Sequence, residues 1–369
     1  MRARLLIAAD AVGGVWQYSL ELAREVAGLG FEPVLAVLGP APSAAQRRQA
    51  RGLRLIDTGL PLDWLAEDAA ELLLAARGLR ALAVREQADI VQVPSGALLA
   101  GASLPMPTVA VQHSCVATWW QTVRGTALPR DFAWRAERVG AGLGEADAVV
   151  APTAAFAGAL SEIYGPVAIR AVHNGRRPFG LAATAPHDCV FTAGRLWDEG
   201  KDLRTLDAAA ARLPVPVHAA GPTRGPNGAA IAFEAVHPLG ELDPGEIGRW
   251  LAARPVFVST ALYEPFGLAV LEAAAAGCPL VLSDIATFRE LWDGVAIFVP
   301  PGDGEGFAEA IAEIVGADAL RHALGSAARE RSALYRPRAT AEKMAAIYDS
   351  LLGRIGRRSA AQPQLAGAA

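Results

Sequence analysis

Two glutamates, Glu264 and Glu272, stand eight residues apart in a stretch that is otherwise almost uncharged, residues 261–284 (ALYEPFGLAVLEAAAAGCPLVLSD). Glu272 is the only charged residue between Phe266 and Pro279. Burying a carboxylate without a partner costs on the order of several kcal/mol, so something must satisfy it, and a pair of ligand hydroxyls would. The short apolar runs 254–260 and 279–283 read as parallel strands, and 267–276 reads as a helix stopped by Gly277 and Pro279. Glu264 then sits on the turn leaving a strand, and Glu272 within the next helix. The helix start at 265–268 offers backbone N–H groups and a positive dipole end to a phosphate, and Glu264 reaches a group attached to it. The spacing suggests phosphate, ribose and sugar held by one strand-turn-helix unit. The competing reading is structural, with Glu264 capping the helix and Glu272 paired to an arginine. Spacing alone leaves both open.

Other residues have the types and places for the same chemistry. Arg195 and Lys201 lie in FTAGRLWDEGKDL, after a strand. Two cations on such a loop can neutralise a leaving diphosphate without a metal; the alternative is two solvated charges. Lys201 stands out because it and Lys343 are the only lysines in a chain that otherwise uses arginine. His113 ends the apolar run TVAVQH, at the strand end where α/β sheets bind ligands. Trp16, Trp119 and Trp120 could offer faces to a sugar acceptor, or fill a core. Gly13-Gly14, between the first strand and helix, lets backbone approach a phosphate. It is not a G-x-G-x-x-G, so a dinucleotide site is poorly supported.

Glu264, seven residues, then Glu272, with Pro265-Phe266-Gly267 after the first and small residues to Pro279 after the second, resembles the E-x7-E motif of retaining GT-B glycosyltransferases of family 4 (glycosyl transferases group 1). The resemblance is strongest over 257–303, good over 190–206 and thin in the first domain. It implies an α/β GT-B fold: two Rossmann-like domains facing across a cleft, with a C-terminal helix crossing back to the first. It implies transfer of a sugar, a hexose by expectation, from a nucleoside-diphosphate sugar to a carbohydrate, lipid-linked or small-molecule acceptor. Catalysis would fall to Glu264, His113, Arg195 and Lys201. The donor would be held by Gly14, Arg195, Lys201, Gly221, Phe266, Gly267, Leu268 and Glu272, with Glu272 on the ribose diol. Acceptor contacts would come from Trp16, Trp119 and Trp120. Asn174-Gly175 resembles the family's turn at the domain junction. One departure concerns Lys201: the family pattern is G-R-L, a few residues, then K-G, whereas here Gly200 precedes Lys201 and Asp202 follows. No covalent nucleophile stands out, and the mechanism that the resemblance implies is a front-face displacement; no Asp-x-Asp motif is present, in keeping with metal independence, and no cofactor is expected. Two alternatives stay open: a GT-B sugar-nucleotide epimerase, and a non-catalytic nucleotide-sugar-binding protein.

The elements that position these residues alternate strand and helix along 369 residues, the pattern of parallel sheets covered on both faces. The expected organisation is an acceptor domain at 1–173, a linker at 174–187 where periodicity is lost, a donor domain at 188–335, a crossing helix at 336–353 and a disordered tail at 354–369. A long helix is expected over 65–85. A hydrophobic fraction of 52% and a charged fraction of 20% describe a globular chain with ample core. A net charge of −4 argues against nucleic acid as a partner. The three cysteines are far apart and suggest neither a disulfide framework nor a metal site, so a reduced cytoplasmic compartment is expected. The N-terminal apolar run is too short for a signal peptide and reads as a first strand. A peripheral contact with the inner membrane face is left open.

Overall fold

The computed structural model describes residues 2–180, 182, 184–226 and 228–360, with side chains through 353. Its first half runs β1 (Ala3–Asp10), α1 (Gly14–Ala27), β2 (Phe31–Leu38), α2 (Ala44–Gln49), β3 (Arg54–Asp57), α3 (Ala69–Arg85), β4 (Ile90–Val93), β5 (Thr108–Val111), α4 (Val116–Arg124), α5 (Arg130–Glu145), β6 (Ala148–Ala151), α6 (Ala154–Tyr164) and β7 (Ile169–Ala171). The strands form one parallel sheet in the order β3-β2-β1-β4-β5-β6-β7. The central strands are apolar on both faces because helices cover both: Leu5, Leu6 and Ile7 in β1 are fully buried.

The second half repeats the architecture: β8 (Val190–Ala193), α7 (Leu203–Ala210), β9 (Val217–Ala220), β10 (His237–Gly240), α8 (Pro244–Ala252), β11 (Val256–Ser259), α9 (Leu268–Ala276), β12 (Leu280–Ser283), α10 (Ala286–Trp292), β13 (Ile297–Val299), α11 (Gly304–Val315) and α12 (Asp318–Ser332). Its sheet is also parallel, in the order β10-β9-β8-β11-β12-β13. In both sheets the order reverses beside the first strand, which opens a crevice at the carboxyl ends of the strands. The final helix, α13 (Pro337–Ala360), returns to the first half. Its Met344, Ile347, Tyr348 and Leu351 are buried in one cluster with Trp16, Leu20 and Phe31, and the Tyr348 ring meets Phe31 edge-on at 5.4 Å.

Several expectations need correction. The helix expected over 65–85 begins only at Ala69, because the Asp68 side chain accepts from the Glu71 N–H and caps it there; Leu65 and Ala66 instead close a turn on the Leu62 carbonyl. The crossing helix does not stop at 353. Residues 354–360 continue α13 rather than forming a disordered tail, and the remainder of that expected tail lies outside the described residues.

The halves meet through polar groups. Thr153 Oγ1 donates to the Pro265 carbonyl at 3.0 Å. Glu290, on α10, accepts from the Ala154 and Ala155 N–H groups at the start of α6, at 2.9 and 2.8 Å, and contacts His173 at 2.8 Å. One domain thus caps a helix of the other. Burial alone would raise the Glu290 pKa, but His173 and the two N–H groups hold it below the ordinary carboxylate value. Glu290→Ala should cost about 1–2 kcal/mol, as expected for a lost charged cap, measured as a fall in melting temperature. Because the folded pKa is depressed, that contribution is present above about pH 4.3 and fades as pH falls through the folded pKa; wild-type and variant stabilities should therefore converge in acid.

Candidate active site

Three loops at the carboxyl ends of β8, β9 and β11 meet the start of α9. The loop after β8 carries Arg195 and Lys201, and the loop after β11 carries Glu264. Lys201 Nζ and Glu264 Oε2 form an ion pair, with both side chains about one-fifth exposed (19% and 20%). Arg195 donates to Asp198 at 2.7 Å, and Asp198 also accepts the Trp119 indole N–H from the other domain at 3.1 Å. Burial alone would raise the Asp198 pKa, but Arg195 and Lys201 hold it low and ionised. Gly194, Arg195, Lys201, Ser259, Glu264 and Gly267 are among the residues lining one pocket.

Gly267 is the N-cap of α9, with φ of 88°, and no side chain caps the helix. Its first N–H groups face the cavity mouth without a side-chain acceptor, which is the arrangement an anion uses. Phe266 is buried at 3% exposure, so only its backbone can serve a ligand. Gly221 (φ of 137°) lies so close to Gly194 that a Cβ would stand 1.8 Å from the Gly194 carbonyl oxygen; no larger residue fits. Gly14, from the first domain, packs against Leu268, where a Cβ would lie 3.2 Å from Leu268 Cδ1. The glycine loop and the start of α9 therefore form one floor.

Glu272 is one turn into α9 and lies outside the cavity lining. Arg176 Nε donates to Glu272 Oε1 at 2.5 Å, and Arg176 also donates to Glu21 of α1 at 3.2 Å. The structural pairing left open by the spacing is thus present, through one carboxylate oxygen. Burial raises the Glu272 pKa, and Arg176 opposes that rise. His113 follows β5 and lies edge-on to the Tyr18 ring, with centroids 4.5 Å apart. Burial pushes its pKa down to about 4, so it is neutral at pH 7.

The acceptor tryptophans divide. Trp16 is 1% exposed and donates its indole N–H to Gln49. It is a core residue with no face for an acceptor, and that expectation is corrected. Trp119 has its N–H committed across the cleft to Asp198. Trp120 bonds Thr126 and lies against Phe132 on the outer lip.

The family model described as Glycosyltransferase Family 4 matches residues 12–178, and that described as Glycosyl transferases group 1 matches residues 187–316. The chain belongs to glycosyltransferase family 4. Among relatives of this family 4 chain, a phosphatidyl-myo-inositol mannosyltransferase of Mycobacterium leprae is 33% identical over 123 residues, 32% of each chain. The matches to curated relatives span half or less of those proteins' lengths. The GT-B fold extends over almost the whole molecule. Sucrose-phosphate synthase from Thermosynechococcus elongatus superposes with a TM-score of 0.77 at 20% identity, covering 96% of this chain and 100% of that one. Anabaena Alr3699/HepE in complex with UDP-glucose gives 0.71 at 17% identity, covering 94% and 100%.

Arg176, Glu21 and Asp198 were not singled out by motif or spacing. The available signal for Arg176 was its place in NGRRPF, a charged pair in an otherwise small-residue linker. Arg176→Ala should leave Glu272 beside Glu21 without its counter-charge, while Glu21 keeps only the Arg177 guanidinium at 3.9 Å. Removing one partner of a buried pair costs roughly 3 kcal/mol or more. The folded pKa of Glu272, already raised, would rise further, so the variant should regain stability as pH falls and the carboxylate takes up a proton. Urea unfolding at pH 7 and pH 5 reads both effects.

Proposed function

We propose that this enzyme transfers a hexosyl group from a nucleoside-diphosphate sugar to an acceptor hydroxyl with retention of configuration. The observation carrying the proposal is the Lys201–Glu264 pair, which lines one cavity with Arg195 at the uncapped start of α9. Cations and free N–H groups suit a diphosphate, and the carboxylate beside them suits the sugar. Glu272, held by Arg176 through Oε1, would take the ribose diol with its other oxygen. The Anabaena neighbour, whose complex contains UDP-glucose, makes a nucleotide sugar the natural donor class.

In the proposed step the bond between the anomeric carbon and the diphosphate oxygen breaks, and its electron pair leaves with the diphosphate. The acceptor oxygen bonds the same carbon from the same face, and its proton passes to the departing phosphate oxygen. Arg195, Lys201 and the α9 N-terminus stabilise the charge that develops on the leaving group. Glu264 holds sugar hydroxyls and supports the positive centre, and neutral His113 orients the sugar as a hydrogen-bonding group. The fixed positive charge around the diphosphate makes a metal unnecessary in this scheme.

Glu264→Gln should lower turnover at least tenfold, about 1.4 kcal/mol of transition-state stabilisation, with the melting temperature held. UDP, GDP, ADP or dTDP should raise the wild-type melting temperature, and EDTA should leave that shift unchanged. Near-normal turnover by the variant would remove Glu264 from catalysis. An epimerised nucleotide sugar formed from donor alone would replace transfer with epimerisation.

A further inference from the structure

The donor residues leave one part of the cleft unexplained. Asp10 ends β1 at the carboxyl edge of the first sheet and is 5% exposed. The Val12 N–H donates to Asp10 Oδ1, and the Trp64 indole N–H donates to Oδ2 at 3.2 Å. An ionised carboxylate has about four acceptor positions, so about two remain. Trp64 itself is 39% exposed. Its polar end is pinned to a buried carboxylate while part of the residue is open to solvent, an apolar ring beside a hydrogen-bonding group. Such a pair recognises a sugar, which is apolar on its ring faces and polar at its rim.

The position points toward the donor. Arg195 Nη1 lies 3.6 Å from the place a Cβ would occupy on Gly13, three residues beyond Asp10, and the Arg195 charge acts on the Asp10 carboxylate. Asp63, on the loop that carries Trp64, adds a second carboxylate whose charge Asp10 also feels. Arg135 faces Asp63, but its terminal nitrogens already donate to the Asp63 and Ala66 carbonyls at 2.9 and 2.5 Å. Arg135 therefore offsets the Asp63 charge and leaves Asp10 as the carboxylate without an arginine partner of its own in this corner.

We propose that Asp10 and Trp64 form the acceptor subsite, the exposed indole carrying a sugar ring and the Asp10 carboxylate orienting one of its hydroxyls toward the donor. The assignment rests on the transferase reading above. It specifies a neutral, ring-shaped polyhydroxyl acceptor, because a phosphorylated one would meet the Asp10 carboxylate. Trp64 takes the place that sequence reasoning gave to Trp16. Burial pushes the Asp10 pKa up to about 6, against the Val12 and Trp64 hydrogen bonds and Arg195 and together with Asp63, so the carboxylate form is lost in mild acid.

The experiment compares wild type, Asp10→Asn, Trp64→Phe and Trp64→Ala. Neutral mono- and disaccharides and their phosphates serve as acceptors, and nucleotide-induced melting shifts serve as the donor readout. Asp10→Asn and Trp64→Ala should each raise the acceptor KM at least tenfold with the nucleotide shift unchanged, and Trp64→Phe should restore most of the loss. Wild-type kcat/KM for acceptor should rise with pH through about 6, and Asp10→Asn should lack that limb. Phosphorylated acceptors should be the poorer ones. An unchanged acceptor KM in Asp10→Asn, a preference for phosphorylated acceptors, or loss of the nucleotide shift in the variants would overturn the assignment. Absence of any nucleotide shift or transfer in the wild type would instead remove the transferase reading itself, and the acceptor subsite with it.

Discussion

A buried carboxylate must find a counter-charge, and in this molecule two do so on the same arginine. Glu21 belongs to α1 of the first domain and Glu272 to α9 of the second, and Arg176, from the connecting segment, bonds both. Arg176 is only 12% exposed and Glu21 only 5%. In pure stability, an apolar trio of similar volume would often do as well or better. What the charged trio supplies is placement. Three groups of fixed geometry are satisfied together in one relative arrangement of α1, linker and α9, and that arrangement lays the glycine loop against the start of α9. Arg177 extends the contact to Glu25 at 3.0 Å, nearer the surface.

The rest of the junction is also polar. Tyr263 shares a hydrogen bond with Thr118 across the cleft at 2.8 Å, and Arg124 meets Glu199 at 2.8 Å. Inter-domain surfaces of this character resemble those between transient partners more than a core. Asp198 shows how such a contact reaches the chemistry. The carboxylate that positions Arg195 is itself held by Trp119 of the opposite domain, so a cation of the second domain's site is set partly by the first domain.

What could be read from the chain followed how local each cause is. The βα alternation, the turn carrying Glu264 and the helix carrying Glu272 depend on short-range pattern, and the apolar runs 254–260 and 279–283 contain β11 (Val256–Ser259) and β12 (Leu280–Ser283). Helix α4 escaped because its pattern begins at Cys115, an unusual cap that accepts from the Thr118 N–H. Roles set by tertiary burial were illegible. Nothing local distinguishes Trp16, which α1 buries in a cluster with β2 and α13, from Trp64, which is partly open to solvent. Nothing local tells that Asp10 will be desolvated, or that Glu272 will meet an arginine 96 positions earlier. Glu264 and Lys201 were legible as candidates because they sit on loops directly attached to strand ends, and the structure pairs them.

The last helix has a consequence for synthesis. Tyr348 fills the first domain's core beside Phe31, and its hydroxyl donates to Gln92; Met344 and Leu351 complete the same cluster. A chain emerging from the ribosome N-terminus first can pair β1 with β2 early, but the apolar face over α1 has no cover until more than three hundred further residues have followed. Domains made first generally fold first, and this one cannot finish. The nascent first domain thus waits, with a greasy flank exposed, until α13 has been made, and this makes that interval of translation the period when a chaperone matters most.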